Sequence, residues 1–138
     1  MSTVFELVLI GTLTVTSYRS VPSQTDNSPY FTSTGERVMD GGIAASRDML
    51  CPLVFFKDKN IRLHKQAECS IKSKRLHYGD TVSVKGLGLF RINDCMHKRH
   101  KNRMDVWVKT YKQEKQIGTR KLPVYRFQKI SRFGFKRK

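Results

Sequence analysis

The chain has 138 residues, and 27 Lys and Arg against 11 Asp and Glu give it a formal net charge of +16. That length suits one domain with a core of its own. The charge argues against a cationic partner and for a polyanion: nucleic acid, or an anionic cell wall carrying peptide carboxylates and phosphate polymers. Three cysteines, Cys51, Cys69 and Cys95, show no Cys-x-x-Cys spacing, which indicates neither a zinc site nor a disulfide-built scaffold.

Val4–Leu13 is apolar but is interrupted by Glu6, and no Lys or Arg precedes Arg19. The expectation is therefore no secretory signal, and the run is too short to span a bilayer. Phe5–Ile10 and Leu13–Tyr18 read as two strands turning at Gly11. From Arg19 to Gly42, Ser, Thr, Pro and Gly predict a long loop with turns at Thr34-Gly35 and Asp40-Gly41. Tyr30, Phe31, Thr32 and Thr34 offer it an aromatic face and hydroxyls suited to sugar. Gly42–Ser46 is a short buried strand that delivers Ser46 and Asp48, on one side if the chain stays extended.

Residues 51–77 are strongly basic and read as an inserted hairpin or loop. A Cys51–Cys69 bridge closing this insert stays open at this level. Tyr78-Gly79-Asp80 is a turn and Thr81–Lys85 an alternating strand. Gly86–Val108 predicts a strand ending at Asp94, a cationic loop over Cys95–Arg103, and a second strand starting at Met104. Asp94 and Asp105 then sit at neighbouring strand ends, where a rigid scaffold can aim carboxylates for acid–base work; the plainer reading is a turn cap and an ion pair with Arg103 or Lys101. Trp107 is expected to point away from Asp105, into the core. His97 and His100 have i, i+3 spacing, but their Lys/Arg surroundings would repel a cation, so no metal is expected. Lys109–Gln116 predicts a short helix ended at Gly118. Leu122–Phe127 closes the sheet, and residues 129–138 form a basic tail with Phe133 and Phe135. The fold expected is all-β, a barrel of six or seven short strands with long loops and one short helix over residues 1–128.

Several patterns stand in order along the chain: Thr14–Tyr18, Thr32–Val38, Gly42–Asp48, Tyr78–Val82, Asp94-Cys95-Met96 and Asn102–Trp107. Together they resemble the 3D domain, named for three aspartates and found in MltA-type lytic transglycosylases, stationary-phase survival proteins and phage proteins. The resemblance covers roughly residues 13–127 and is carried mainly by the D-x-M…N-R-x-D-x-W half. It implies a double-psi β-barrel, with Asp105 as catalytic acid/base and Asp94 and Asp48 as the other aspartates. Ser46 stands where many members carry the first aspartate, so Asp48 is a displaced match, and Cys95 replaces a usual Thr.

The activity implied is cleavage of the MurNAc–GlcNAc bond of peptidoglycan with closure of a 1,6-anhydro ring, without a cofactor. Thr32, Thr34, Gly35, Ser46, His97, Asn102 and Arg103 are the candidates for substrate binding. The reaction needs an acid whose pKa is raised by burial or a neighbouring anion, so Arg103 should face away from Asp105 or bind substrate. The site of action would be the cell envelope, reached by a route other than a visible signal, as phage lysins are. Three other readings compete: an inverting hydrolase or expansin-like protein, a non-catalytic wall binder, and a single-stranded nucleic-acid binder using the tail's aromatics and cations.

Overall fold

Period-2 alternation builds most of the molecule. The computed structural model describes residues 4–20, 32–34, 36–131 and 134–136. Among these residues there are nine strands: β1 (Val4–Tyr18), β2 (Gly42–Ala45), β3 (Leu53–Asp58), β4 (Ile61–Gln66), β5 (Thr81–Val84), β6 (Gly88–Cys95), β7 (Arg103–Trp107), β8 (Arg120–Ser131) and β9 (Gly134–Lys136). One α-helix, α1 (Tyr111–Ile117), lies between β7 and β8.

Seven strands form one mixed sheet in the order β1-β7-β2-β6-β5-β8-β9, and an additional β1–β8 pairing closes it. The result is an all-β barrel, as the strand count predicts. Two of its pairings, β1–β7 and β2–β6, are parallel; the others around the ring are antiparallel. Inward positions alternate with outward ones, so Leu13, Val15, Ile43, Ala45, Ile92 and Met104 meet inside, each with 1 % exposure or less. Burying side chains of this size supplies on the order of 1.5–3 kcal/mol each.

Several local expectations change. Residues 4–18 do not turn at Gly11. They form one strand paired with β8 from Val4↔Ile130 to Val15↔Arg120, and Gly11 takes up only a shift of register after Leu9. Continuous pairing with a long partner overrides the turn preference of a single glycine. β8 extends well beyond Leu122–Phe127 for the same reason, and Gly134–Lys136 folds back on it as β9 where a tail was expected. β7 begins one residue earlier than expected, at Arg103. Arg47–Met49 forms a single 3₁₀ turn, so Ser46 and Asp48 do not share an extended face.

The insert is a separate two-stranded hairpin, β3–β4, turning through Lys59 and Asn60, both at positive φ. A Cys51–Cys69 disulfide closes its base. α1 starts with a reciprocal capping box between Thr110 and Gln113, which satisfies backbone donors that a helix start leaves orphaned. It ends at Gly118, whose φ of 59° suits glycine. No helix among the described residues is long and apolar enough to cross a membrane.

β6 is out of step with β2 at one point. Ile43 pairs with Ile92 and Ala44 with Asp94, which leaves Asn93 as an extra residue. Asn93 is 1 % exposed, and it presses on Gly42: a Cβ there would lie 2.8 Å from Asn93 Nδ2 and 3.2 Å from the Met39 carbonyl oxygen. Ile92, just before this bulge, is fully buried among both sheet halves. Ile92→Ala is expected to lower stability by about 2–5 kcal/mol, read as a lower urea midpoint with an unchanged slope.

Candidate active site

The outward face of four adjacent strands carries the chemistry. Ala44 of β2 is paired with Asp94 of β6 on one side and Asp105 of β7 on the other, and Asp105 is paired in turn with Thr16 of β1. Asp94, Ala44, Asp105 and Thr16 therefore stand in one row across the sheet. The two carboxylates are not at neighbouring strand ends: β2 runs between them, and ordinary strand spacing puts their Cα atoms about 10 Å apart. Ala44 is the small residue between them, covered by Tyr18, Met96 and Trp107.

Asp105 accepts a 2.8 Å hydrogen bond from Thr16 Oγ1. Burial lifts its carboxyl from the ordinary 3.8 to about 6, against the opposing Thr16 hydrogen bond and the Arg103 guanidinium; Asp94 and Glu114 add to the lift. Arg103 does not face away, because residues i and i+2 of a strand share a face. Its effect on Asp105 is nevertheless outweighed by desolvation, and one of its terminal nitrogens lies 3.3 Å from His100 Nδ1.

Asp94 is a receiver. Its Oδ1 accepts from the Ser33 backbone N–H at 3.0 Å, from the Ser33 hydroxyl and from the Cys95 N–H at 2.9 Å, while Oδ2 accepts from Tyr18 Oη at 3.4 Å. Burial first, then Asp94 and Asp105, pushes the Tyr18 phenol far above its usual value. Tyr18 therefore stays a donor at any pH the protein meets. Trp107, expected to point away from Asp105, is on the same face. It packs against Tyr18, Ala44 and Met96, and its indole N–H donates to Ser20 Oγ at 2.9 Å.

A second string of polar groups leads from Asp94 to the insert. Ser33 Oγ lies 3.4 Å from Cys95 Sγ, Cys95 adds to burial in raising the Tyr78 phenol above its usual value, and Tyr78 Oη lies 3.0 Å from His64 Nε2 on β4. Burial and Arg47 lower the His64 pKa, with Asp94 opposing, which favours the uncharged imidazole. Arg47 itself stacks 4.9 Å from the Phe55 ring centroid of β3. The basic insert is thus tied to the site through its own side chains.

The other expected residues divide. Asp48 does not join the pair: both of its oxygens accept from the Asn102 N–H, at 2.9 and 3.2 Å. Ser46 is fully buried and splices β2 to β7, its hydroxyl accepting from Arg103 N–H at 3.0 Å and its own N–H donating to the Arg103 carbonyl. Asn102, at φ 54°, donates its amide to the Thr12 carbonyl. These three shape the loop mouth.

His97 is exposed on that loop and accepts from Arg99 N–H. Thr32 is buried, 2.9 Å from Thr34 Oγ1, and with it braces the turn that presents Ser33. Gly35, Tyr30 and Phe31 lie outside the described residues. Sequence reasoning missed Thr16, Tyr18, Ser33, Tyr78 and His64. Only the first two left a usable signal, since they occupy the outward parity of the Leu13–Tyr18 alternation. A shallow cavity lined by Asp40, Leu87, Phe90, Trp107 and Ile117 lies beside α1, and neither Asp94 nor Asp105 lines it.

Comparison with protein-family models, curated proteins and solved structures gave no match.

The raised Asp105 pKa fixes the sign of a stability effect. The folded state holds the Asp105 proton more tightly than the unfolded chain does, so stability falls as pH rises from about 4 through about 6. Asp105→Asn removes the buried charge. It is expected to match the wild type in thermal unfolding at pH 4 and to exceed it at pH 8 by on the order of 1–3 kcal/mol.

Proposed function

We propose that this chain is a peptidoglycan lytic transglycosylase whose acid/base is Asp105. The observation that carries the reading is the contrast between two carboxylates in one row. Asp94 is saturated with donors, whereas among the described residues Asp105 has a single hydroxyl partner, and its pKa is lifted to about 6. Such a pair suits one proton-moving group and, across Ala44 in the same row, one fixed anion.

In the reaction, protonated Asp105 gives its proton to the glycosidic oxygen between MurNAc and GlcNAc as the C1–O bond breaks. Positive charge develops at C1, and Asp94 is the anion placed to favour it. Asp105, now a carboxylate, takes the proton from the 6-hydroxyl of the same MurNAc, whose oxygen bonds to C1 and closes the 1,6-anhydro ring. Asp105 ends protonated, ready for the next bond. No water is consumed, so no second carboxylate is needed as a base, in contrast to an inverting hydrolase. Ser33 and Tyr18 position Asp94; Thr16 positions Asp105.

The closed barrel with its two parallel pairings supports a double-psi assignment within this reading. The charge of +16 supports binding to anionic wall polymer, with the basic loop over 98–102 joining the two carboxylate-bearing strands β6 and β7. The place of action is then the cell envelope, with delivery of the kind that phage lysins use. Saturation of Asp94 with donors disfavours an inverting mechanism, which needs a free base for water.

The deciding experiment is digestion of purified peptidoglycan by the wild type and by Asp105→Asn, with products read by mass spectrometry. Wild type should release anhydro-muropeptides, and the variant should do so roughly 10²–10⁴-fold more slowly. Reducing-end products without anhydro sugars would place the chain among hydrolases. Retention on the wall with no products from either form would make it a binder.

A further inference from the structure

Away from the carboxylate row, three metal-ligating side chains converge at the base of the insert. One ligand atom each from Cys51, Cys69 and His77 lies within 4.8 Å of the others. Cys51 is buried, and the other two are half-buried. Among the described residues His77 Nε2 is buried without a hydrogen-bond partner, and the Glu68 carboxylate lies 3.5 Å from it. The Glu68 side chain is 92 % exposed, so it is free to swing.

The backbone around these ligands is braced. Gln66 Nε2 donates to the carbonyls of Cys51 and Leu76 at 3.1 and 2.8 Å, and Gln66 Oε1 accepts from the Tyr78 N–H at 2.7 Å. His77 N–H is held by Asp80 Oδ2 at 2.9 Å, and Cys51 N–H donates to the Leu76 carbonyl. Ser73 Oγ, whose hydroxyl donates to the Ser70 carbonyl at 2.7 Å, also lies 3.6 Å from Cys69 Sγ, within reach of turning its proton to a thiolate.

We propose that, in the reduced chain, Cys51, Cys69 and His77 bind a zinc ion, with Glu68 as the fourth ligand. Disulfide and metal are then two alternative closures of the same loop. In this structure the sulfurs are bridged. Two equivalents of a small-molecule thiol break the S–S bond by delivering two electrons and two protons, and leave as their own disulfide. Zn²⁺ then displaces both protons and forms two Zn–S bonds. Tetrahedral Zn–S bonds of about 2.3 Å hold two sulfurs about 3.7 Å apart, which the 5.5 Å Cα separation of Cys51 and Cys69 accommodates.

Charge does not oppose the site. Two thiolates and one carboxylate outweigh the two positive charges of zinc, and the basic surroundings favour the thiolates. The sequence hides this site because Cys51 and Cys69 lack close spacing and His77 enters from the far side of the insert. The inference does not depend on the proposed reaction.

The test uses the full chain reduced with a phosphine under anaerobic conditions and titrated with Co²⁺, then with Zn²⁺. One equivalent of Co²⁺ should give thiolate-to-cobalt charge transfer with the strong visible bands of a tetrahedral ion, and Zn²⁺ should displace it. Cys69→Ser and His77→Gln should each weaken binding by roughly 100-fold or more, and Ser73→Ala by roughly tenfold. The oxidised chain should bind neither ion at the same concentrations. Far-UV circular dichroism checks each variant for folding, and if Cys69→Ser does not fold, the His77→Gln titration decides. Absence of the charge-transfer band in the reduced chain, or affinity unchanged by His77→Gln, overturns the proposal.

Discussion

β2 is only four residues long, Gly42–Ala45, and every one of them is buried. It runs parallel to β6 and antiparallel to β7, and the chemistry depends on that double pairing. A strand hydrogen-bonded on both edges cannot slip by one residue without turning its own side chains to the opposite face. The backbone ladder thereby fixes which side chains share a level, so that Asp94, Asp105 and Thr16 are placed by main-chain geometry before any side-chain contact is made. Ala44 suits the centre of the row because a larger side chain there would meet Tyr18, Met96 and Trp107, which already cover it.

The electrostatics of the row run against the whole molecule. With 27 basic residues against 11 acidic ones, the general field favours ionised carboxylates. Asp105 is shifted the opposite way because desolvation acts over the first few ångströms, where the long-range field of exposed cations is screened by salt within about 8–10 Å. Arg103 is close enough to act and still does not prevail. The two carboxylates also divide in type: donors converge on Asp94, while Asp105 keeps its proton affinity.

Local patterning was legible where local forces decide. The strand at Thr81–Val84, the buried Gly42–Ala45 segment, the turn at Gly79 and the capped helix ending at Gly118 all follow from alternation, turn residues and caps. Gly11 misled because its conformation is set by β8, more than a hundred residues away in sequence. The relation of Asp94 to Asp105 was out of reach for the same reason, since nothing near either residue announces that β2 lies between them. Trp107 was a different kind of error: its i+2 spacing from Asp105 already placed the two on one face. Ser33 and Tyr78 reach the site through loops whose paths no periodicity encodes, and His64 comes from a hairpin that reads as an independent insert.

The bulge at Asn93 sets how this chain can vary. Ile92 faces the core, and if β6 ran on in strict alternation through Asn93, Asp94 would occupy the next inward position, a carboxylate among buried aliphatic side chains. Removing Asn93 itself would leave Asp94 directly after Ile92, still opposite Ala44 and on the same outward face, whereas losing the bulge while keeping the residue would invert that face. The row therefore tolerates Asn93 only together with its bulge. A chain on this barrel keeps the two carboxylates level either with both or with neither.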